Sequence, residues 1–260
     1  MSNEVAELKQ TLEALQKEVV RLRDQEEIRK IQYKYGYYLD KCLYQEVADL
    51  FSDDKDSFVQ FLGGRYRGPA GVKRLYQERF GKHFVNGRNG PIHGFLLDHP
   101  QMQGIVDVDY SASPPRASGR FRSLMQAGVH ISQAAKHPRG FTQWWEGGIY
   151  ENEYIRDGPD GSWRILRLRY FPFWHGDFEH GWGYKVAGFV PFMSKTYPED
   201  PNGPDEVVTE EQRMMWPDTR VVPFHYDHPV TGQPVKEEDQ RAPEFGDDPA
   251  NAKPSLKLQW

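Results

Sequence analysis

The sequence predicts an α+β domain with an additional segment at each end, because two apolar periodicities follow one another along the 260-residue chain. Before about residue 90, apolar side chains recur at steps of three and four, which is typical of half-buried helices. From Ile92 the spacing changes to two, and turn-rich segments separate the apolar runs. Helices followed by a meander of strands indicate an antiparallel sheet packed on helices. The predicted domain covers residues 26–175.

Three helices and a strand are expected in the first part of this domain. The first helix lies within Glu26–Phe51, where Ile28, Ile31 and Tyr35 begin the apolar face, and a short second helix follows from Tyr44. A strand is predicted at Ser57–Leu62, and Gly63-Gly64 then turns the chain. Gly68-Pro69 opens the third helix, because proline suits the first helical position.

Five further strands are expected in the second part of the domain. Their separators contain the turn sequences SASPPR, KHPRG and DGPDG. The predicted strands are Ile92–Leu97, Gly104–Asp109, Ala117–Ile131, Phe141–Arg156 and Trp163–Phe173.

The N-terminal segment, residues 1–25, has the heptad pattern of a coiled coil. Its apolar positions alternate steps of three and four and are Val5, Leu8, Leu12, Leu15, Val19 and Leu22. A lone helix with this stripe would expose it, so we expect the chain to self-associate. The alternative is that the helix folds back onto its own domain.

The C-terminal segment, residues 176–260, contains 11 of the 19 prolines and few apolar runs. We interpret it as an extended arm that lies on a surface, in part on a neighbouring subunit, because it keeps too many aromatic residues for a disordered tail. A homo-oligomer held by the first helix and this arm is therefore expected.

Charge and composition argue against several classes of protein. The net charge is −5, and lysine and arginine form no stripe that would follow a phosphate backbone, so nucleic acid is not an expected partner. The single cysteine, Cys42, excludes an internal disulfide. The N-terminus lacks the apolar run of a signal peptide, and no 18-residue apolar run predicts a membrane span. We expect a cytoplasmic protein.

Asp40 is the most unusual residue of the first helix, because it follows four tyrosines on an otherwise apolar segment. A carboxylate in such surroundings must be paired, lie near water or have a raised pKa. Asp40 is therefore either a hydrogen-bond acceptor that fixes the helix end or an acid or base in a cavity.

The stretch KYGYYLDKCLYQEVADLFSDD resembles the opening of SnoaL-like members of the nuclear transport factor 2-like superfamily, and GGIYENEYIRDGPDGSWRILRLRY resembles their last two strands. The resemblance covers about residues 25–175. It implies a cone-shaped, curved antiparallel sheet on three helices, with a cavity inside. Tyr35 and Asp40 occupy the family's tyrosine and aspartate positions, and His93 occupies its frequent catalytic histidine position.

The resemblance implies that Tyr35, Asp40 and His93 are catalytic, although His93 could equally be a structural residue at a strand end. On an ideal helix Tyr35 and Asp40 point about 140° apart, so Tyr37 is an alternative partner for Asp40. Expected substrate-binding residues are Tyr37, His99, Phe121, Trp144 and Tyr150. His99 could instead only form the turn before Pro100, and aromatic strand residues are more often core than ligand contacts.

These features predict a lyase that needs no cofactor and no metal, acting on a small aromatic substrate. A tyrosine, an aspartate and a histidine in one pocket suit proton transfer beside a stabilised carbanion or quinone methide. The family branch resembled most closely deformylates lignin-derived diarylpropane diols to stilbenes, with release of formaldehyde. The alternatives are a hydroxysteroid or polyketide dehydratase, isomerase or cyclase, and a ligand-binding protein without activity.

Overall fold

The structure is a computed structural model that describes residues 2–137, 142–177, 181–182, 192–209, 213 and 215–241. The chain divides into two compact units, Met1–Trp216 and Pro217–Trp260. The described part of the second unit includes a short 3-10 turn at Glu237–Asp239. Position 141, the predicted start of a strand, and residues 242–260 of the predicted arm lie outside the described residues.

Helix α1 runs without interruption from Ser2 to Asp40, through the expected segment boundary at residue 25. In its first half the heptad residues Val5 to Leu22 are 51–68% exposed, so this half does not fold back onto the domain. In its second half Ile28, Tyr35 and Leu39 are buried in the core. One helix therefore has an exposed apolar stripe at one end and a wall of the core at the other.

The remaining helices lie in the predicted regions. Helix α2 spans Tyr44–Ala48. The third predicted helix is a series of three helical segments, which are α3 (Gly68–Lys73), a π-helical segment (Arg74–Phe80) and α4 (Gly81–Val85). Pro69 lies in the first turn, as expected. A π-helical segment inside a helix frequently marks a functional site.

The strands form an eight-stranded sheet in the order β3-β5-β6-β7-β1-β2-β8, with β4 also paired to β5. All described pairs are antiparallel except β1 with β7, which is parallel. Strand β2 was not predicted, because the glycines at its start indicate only a turn. The strands are β1 (Phe58–Phe61), β2 (Gly64–Arg67), β3 (Phe95–Asp98), β4 (Gln101–Asp109), β5 (Arg116–Val129), β6 (Thr142–Ile155), β7 (Arg164–Asp177) and β8 (Glu206–Val207).

The sheet is curved and, among the described residues, remains open. Its register shifts between Gly147 and Gly148 of β6, and such a bulge bends a strand. A Cβ on Gly147 would come within 2.4 Å of Trp174, and one on Gly148 within 2.6 Å of the Tyr170 hydroxyl. Both glycines are therefore needed for the close approach of β7 side chains at the bend. The predicted α+β fold, a curved sheet over helices, is confirmed.

The segment 192–209 of the predicted arm packs against its own chain. Strand β8 pairs with β2, and the amide of Met193 donates to the carbonyl of Leu62. Arginines of the helical region reach the same segment, since Arg74 forms an ion pair with Asp205 at 2.6 Å. This segment closes one side of the first unit.

No helix among the described residues has the length and apolar character needed to cross a lipid bilayer.

Candidate active site

A cavity of about 600 Å³ lies between the concave face of the sheet, the second half of α1 and the helical region 68–85. Its walls are mainly aromatic and aliphatic, with a few titratable groups. Met193, Asp200 and Asn202 of the arm complete the lining. The other main contributors are Tyr35, Leu39, Phe61, Tyr76, Phe80, Phe84, Leu97, His99, Met125, Trp144, Glu146, Tyr150, Leu168, Tyr170 and His175. A mostly apolar cavity with few polar groups is the usual form of a small-molecule site.

The first titratable pair of the cavity is Asp40 with His99. Asp40 ends helix α1, and His99 lies in the turn between β3 and β4. The Asp40 Oδ1 atom lies 2.7 Å from His99 Nδ1 and also accepts the backbone N–H of His99 at 2.9 Å. The side chains are 13% and 10% exposed. This double contact fixes the imidazole ring, and His99 lines the cavity.

Gly36 allows this pair to form. It lies one helical turn before Asp40, and a Cβ at this position would be 2.7 Å from Gln101 Cγ and 3.4 Å from the His99 carbonyl oxygen. Glycine costs helix stability, about 1 kcal/mol relative to alanine. Here the missing side chain lets the β3–β4 turn lie directly on the helix, which brings His99 to Asp40.

Four buried tyrosines form a continuous group beside the pair. The Tyr35 and Tyr76 hydroxyl oxygens are 3.0 Å apart, and the Tyr150 ring lies 5.8 Å from the Tyr35 ring and 4.7 Å from the Tyr170 ring. Burial raises the pKa of Tyr35 to about 12 and raises the pKa of the other three well above 10. All four therefore keep their protons near neutral pH and can donate hydrogen bonds.

The second titratable pair is Glu146 with His175. These residues face each other across strands β6 and β7, and the Glu146 carboxyl contacts His175 Nε2. Their side chains are 6% and 7% exposed. Burial raises the pKa of Glu146 to about 7, an effect that a hydrogen bond from Tyr170 partly offsets. Burial lowers the pKa of His175 to about 4, so the neutral forms of both groups are favoured.

The two pairs lie on one row across the sheet. Asp98 pairs with Gln126 and Gln101 with Ser123, which places His99 opposite Met125. Met125 in turn pairs with Glu146, and Glu146 with His175. Neighbouring strands are about 4.8 Å apart, so the backbones of His99 and Glu146 are separated by about 10 Å.

Four of the predicted site residues line the cavity, namely Tyr35, His99, Trp144 and Tyr150, and Asp40 contacts it through His99. Neither Tyr35 nor Tyr37 is the hydrogen-bond partner of Asp40, whose carboxylate is bound to His99. His99, which was predicted to bind substrate, is the residue that contacts Asp40 in the structure.

Three predicted residues lie outside the cavity. His93 is in an exposed turn before β3 and does not line the cavity, whereas His99, six residues later, does. Tyr37 is 75% exposed, because it lies on the opposite side of α1 from Tyr35. Phe121 is fully buried but packs edge-on against Tyr33, in the core rather than on the cavity wall.

Sequence reasoning missed Glu146, His175, Tyr76 and Arg79 as cavity residues. A signal for Glu146 was present, because a strand side-chain period of two puts Trp144, Glu146 and Tyr150 on one face. A carboxylate on that otherwise aromatic face is costly to bury unless another polar group pairs with it. Tyr76 and Arg79 lie in the π-helical segment. Side chains there do not follow the regular α-helical period, so that period does not predict which of them face the cavity.

The described residues contain no group of three or more His, Cys, Asp or Glu side chains arranged to hold a metal ion.

Comparison with known proteins places these elements in a family. The profile of the SnoaL-like domain matches residues 20–169, which is more than half of the chain. A comparison with curated proteins finds no match.

Solved structures are similar to this chain at low sequence identity. A hexachlorocyclohexane dehydrochlorinase, LinA-type3 from Novosphingobium barchaimii LL02, is 16% identical with a TM-score of 0.47, and the alignment covers 65% of this chain and 99% of that chain. A nuclear transport factor 2-like superfamily protein from Salmonella enterica is 17% identical with a TM-score of 0.44, covering 64% and 96%. A protein from Novosphingobium aromaticivorans DSM 12444 with a provisional scytalone dehydratase name is 18% identical with a TM-score of 0.42, covering 65% and 95%.

Proposed function

This chain belongs to the family of proteins with a SnoaL-like domain, and we propose that it is a lyase that works by acid–base catalysis on a small aromatic substrate without a cofactor. The observation that carries the proposal is the Asp40–His99 pair facing an aromatic cavity of about 600 Å³. A histidine held in one orientation by a carboxylate is a common general base.

His99 is the proposed base. Its Nδ1 atom donates to the Asp40 carboxylate, so in the neutral imidazole the Nε2 atom is the one without a proton. The Nε2 atom forms no hydrogen bond with any residue that the structure describes. Because Asp40 also stabilises the imidazolium that forms, the pair can take a proton from a substrate hydroxyl and return it later in the cycle.

The tyrosine group is the proposed binding site for substrate oxygen atoms. Tyr35 and Tyr150 line the cavity beside His99, and their raised pKa values keep both hydroxyls protonated. A protonated phenol donates a hydrogen bond to an oxygen that gains negative charge during reaction. In the buried cavity such a donor is worth more than in water.

The substrate we propose is a lignin-derived diarylpropane diol that carries a free phenol. In the first step the phenol loses its proton to His99, the benzylic C–O bond breaks, and the hydroxyl takes a proton from solvent and leaves as water to give a quinone methide. In the second step the terminal hydroxymethyl group loses its O–H proton to solvent and its C–C bond breaks. That electron pair forms the stilbene double bond, the phenolate recovers a proton from His99, and formaldehyde is released.

The spacing of the cavity favours this substrate over one that reacts at two adjacent atoms. His99 and Glu146 stand about 10 Å apart along the sheet, as estimated from the strand spacing. In the diol, the phenolic oxygen and the benzylic hydroxyl lie on opposite sides of an aromatic ring. A base at one end and polar groups at the other would therefore act on one conjugated system.

The test uses the full-length protein and the erythro diol, with chelator present and no added cofactor. Released formaldehyde and the near-ultraviolet absorbance of the stilbene are followed together, and binding of the diol is measured by calorimetry. We expect both products in a one-to-one ratio. Binding without product would overturn the deformylation and favour dehydration or isomerisation of a hydroxysteroid or polyketide, which the same assay format can test. Neither binding nor product would contradict an aromatic substrate and favour a protein without this activity.

A further inference from the structure

The Glu146–His175 pair lies on the cavity wall, yet the roles proposed for Asp40 and His99 do not use it. Both of its side chains are less than a tenth exposed, and both line the cavity. Burying a carboxyl and an imidazole costs several kcal/mol unless they are paired or neutral. A pair retained at this cost, inside the cavity, points to a chemical role.

The surroundings of Glu146 favour a carboxyl that carries a proton. Strand β7 contributes His175 and Tyr170, strand β6 contributes Tyr150, and His99 lines the same cavity. No arginine or lysine ion pair with Glu146 occurs among the described residues. Burial lowers the pKa of His175 to about 4, and its Nε2 atom contacts the Glu146 carboxyl.

The bend in β6 holds the group in place. The register shift between Gly147 and Gly148, close to Glu146, puts both glycines under the side chains of Trp174 and Tyr170. The Tyr170 hydroxyl therefore lies beside the strand segment that carries the carboxyl, and the two groups interact by a hydrogen bond. His175 and Tyr170 of β7 both contact the carboxyl, and Glu146 lines the cavity.

We propose that Glu146 is the catalytic acid of this cavity, which protonates the hydroxyl group that leaves, and that His175 is the residue that positions it. The inference rests on the proposed function and deepens it. It assigns the leaving group to the Glu146 end of the row and the phenol to the His99 end.

Over the two steps, each residue regains the proton state in which it began. In the first step Glu146 gives its proton to the benzylic hydroxyl as the C–O bond breaks, so water leaves, and His99 takes the phenolic proton. In the second step the Glu146 carboxylate takes the O–H proton of the terminal hydroxymethyl group as the C–C bond breaks. His99 returns its proton to the phenolate, and both residues regain their starting states.

The test compares wild type with Glu146→Gln and His175→Gln on two substrates, the diol and its benzylic acetate ester. Acetate needs no proton to leave, so only the diol depends on the acid. We expect Glu146→Gln to lower kcat on the diol by about 10²–10⁴-fold, the usual contribution of a general acid, with KM little changed. On the ester, after subtraction of the uncatalysed elimination, the same variant is expected to stay close to wild type.

His175→Gln separates positioning from catalysis. It keeps the acid but changes its hydrogen bond, so we expect the alkaline limb of the kcat profile to move rather than turnover to disappear. An equal loss on diol and ester in Glu146→Gln, or an unchanged kcat, would overturn the assignment. So would a pH profile that His175→Gln leaves unmoved.

An infrared titration tests the acid without using turnover. The C=O stretch of a protonated carboxylic acid is expected in wild type below neutral pH and absent in Glu146→Gln; its absence from wild type would overturn the inference. Failure of the proposed function is a separate result, because it appears as wild-type protein that makes no stilbene from the diol. Wild type that makes stilbene while Glu146→Gln matches it would overturn only the present inference.

Discussion

The cavity contains two carboxylate–histidine pairs that use the same side-chain types in different environments. Asp40 and His99 meet where a helix end touches a turn, and the Asp40 oxygen also accepts a backbone N–H. Glu146 and His175 meet between two strands inside the sheet, where burial dominates the pKa of each. Hydrogen bonds from His99 hold the Asp40 carboxylate in place, whereas burial favours the protonated form of Glu146. One pair therefore suits a base and the other an acid.

The largest effect is expected from Asp40→Asn. The neutral amide lacks the negative charge that stabilises an imidazolium, so kcat/KM on the diol should fall by about 10²–10⁴-fold. Steady-state kinetics measures this loss. Asp49→Asn, a change of an exposed aspartate after α2, is the matched control and should leave turnover unchanged. Equal activity of Asp40→Asn and wild type would contradict the role of the first pair.

The two members of the second pair are expected to change the free energy of unfolding with pH in opposite directions. The folded state holds the Glu146 proton more tightly, so this residue alone makes the free energy of unfolding fall as pH rises from about 4.5 to about 7. The folded state holds a His175 proton less tightly, so His175 alone makes it rise between about 4 and about 6.5. Each contribution is about 3 kcal/mol, and in wild type they largely cancel.

Denaturant unfolding at several pH values checks this cancellation with single variants. Glu146→Gln leaves only the His175 contribution, so stability should increase with pH over this range. His175→Gln leaves only the Glu146 contribution, so stability should decrease with pH. If the stability of both variants changed with pH in the same direction, Glu146 and His175 would not make the opposite contributions expected from their burial.

A smaller effect is expected from the arm, which contributes Met193, Asp200 and Asn202 to the cavity lining. Arg79 and Asp200 both line the cavity and form an ion pair at 3.0 Å, with side chains about one third exposed. Because such pairs contribute at most about 1 kcal/mol, Asp200→Asn should raise KM by up to about fivefold and leave kcat unchanged. Glu199→Gln, at an exposed neighbouring position, is the control. A large loss of kcat would place the arm in the chemistry instead.

The smallest effect on activity is expected at the exposed stripe of α1, which is remote in sequence from both pairs. Leu12→Asp should abolish self-association through the heptad positions, as measured by sedimentation, because it places a charge in the seam. Turnover should not change. Gln10→Asp, off the stripe, is the matched control. If both variants sediment like wild type, the stripe is not the interface that we predict.

The fold was predictable because its signals are local. Periodicity located the helices and the long strands, and the bounds of β5, for example, differ from the prediction by one or two residues. The start of β2 is hidden by Gly63 and Gly64, which indicate a turn, and its pairing with β8 involves residues 140 positions away. Long-range pairing of two-residue strands leaves no local pattern to detect.

The site was predictable only in part, because its geometry depends on contacts between distant segments. Tyr35 and Asp40 came from the resemblance, but the choice between His93 and His99 depends on how the β3–β4 turn lies on helix α1. Gly36 decides that approach, and nothing in the sequence around either histidine indicates it. The resemblance pointed to helix α1 and to His93 before β3, whereas His99, after β3, is the histidine that contacts Asp40.

The most direct test of the account is the paired comparison of His99→Gln and His93→Gln on the diol. Stilbene formation is measured under single-turnover conditions, with binding of the diol as the control for folding. The structure predicts that His99→Gln binds the diol and loses turnover by about 10²–10⁴-fold. It predicts that His93→Gln, which changes an exposed turn residue, matches wild type. Loss of turnover in His93→Gln together with an active His99→Gln would contradict the Asp40–His99 pair as the centre of the site.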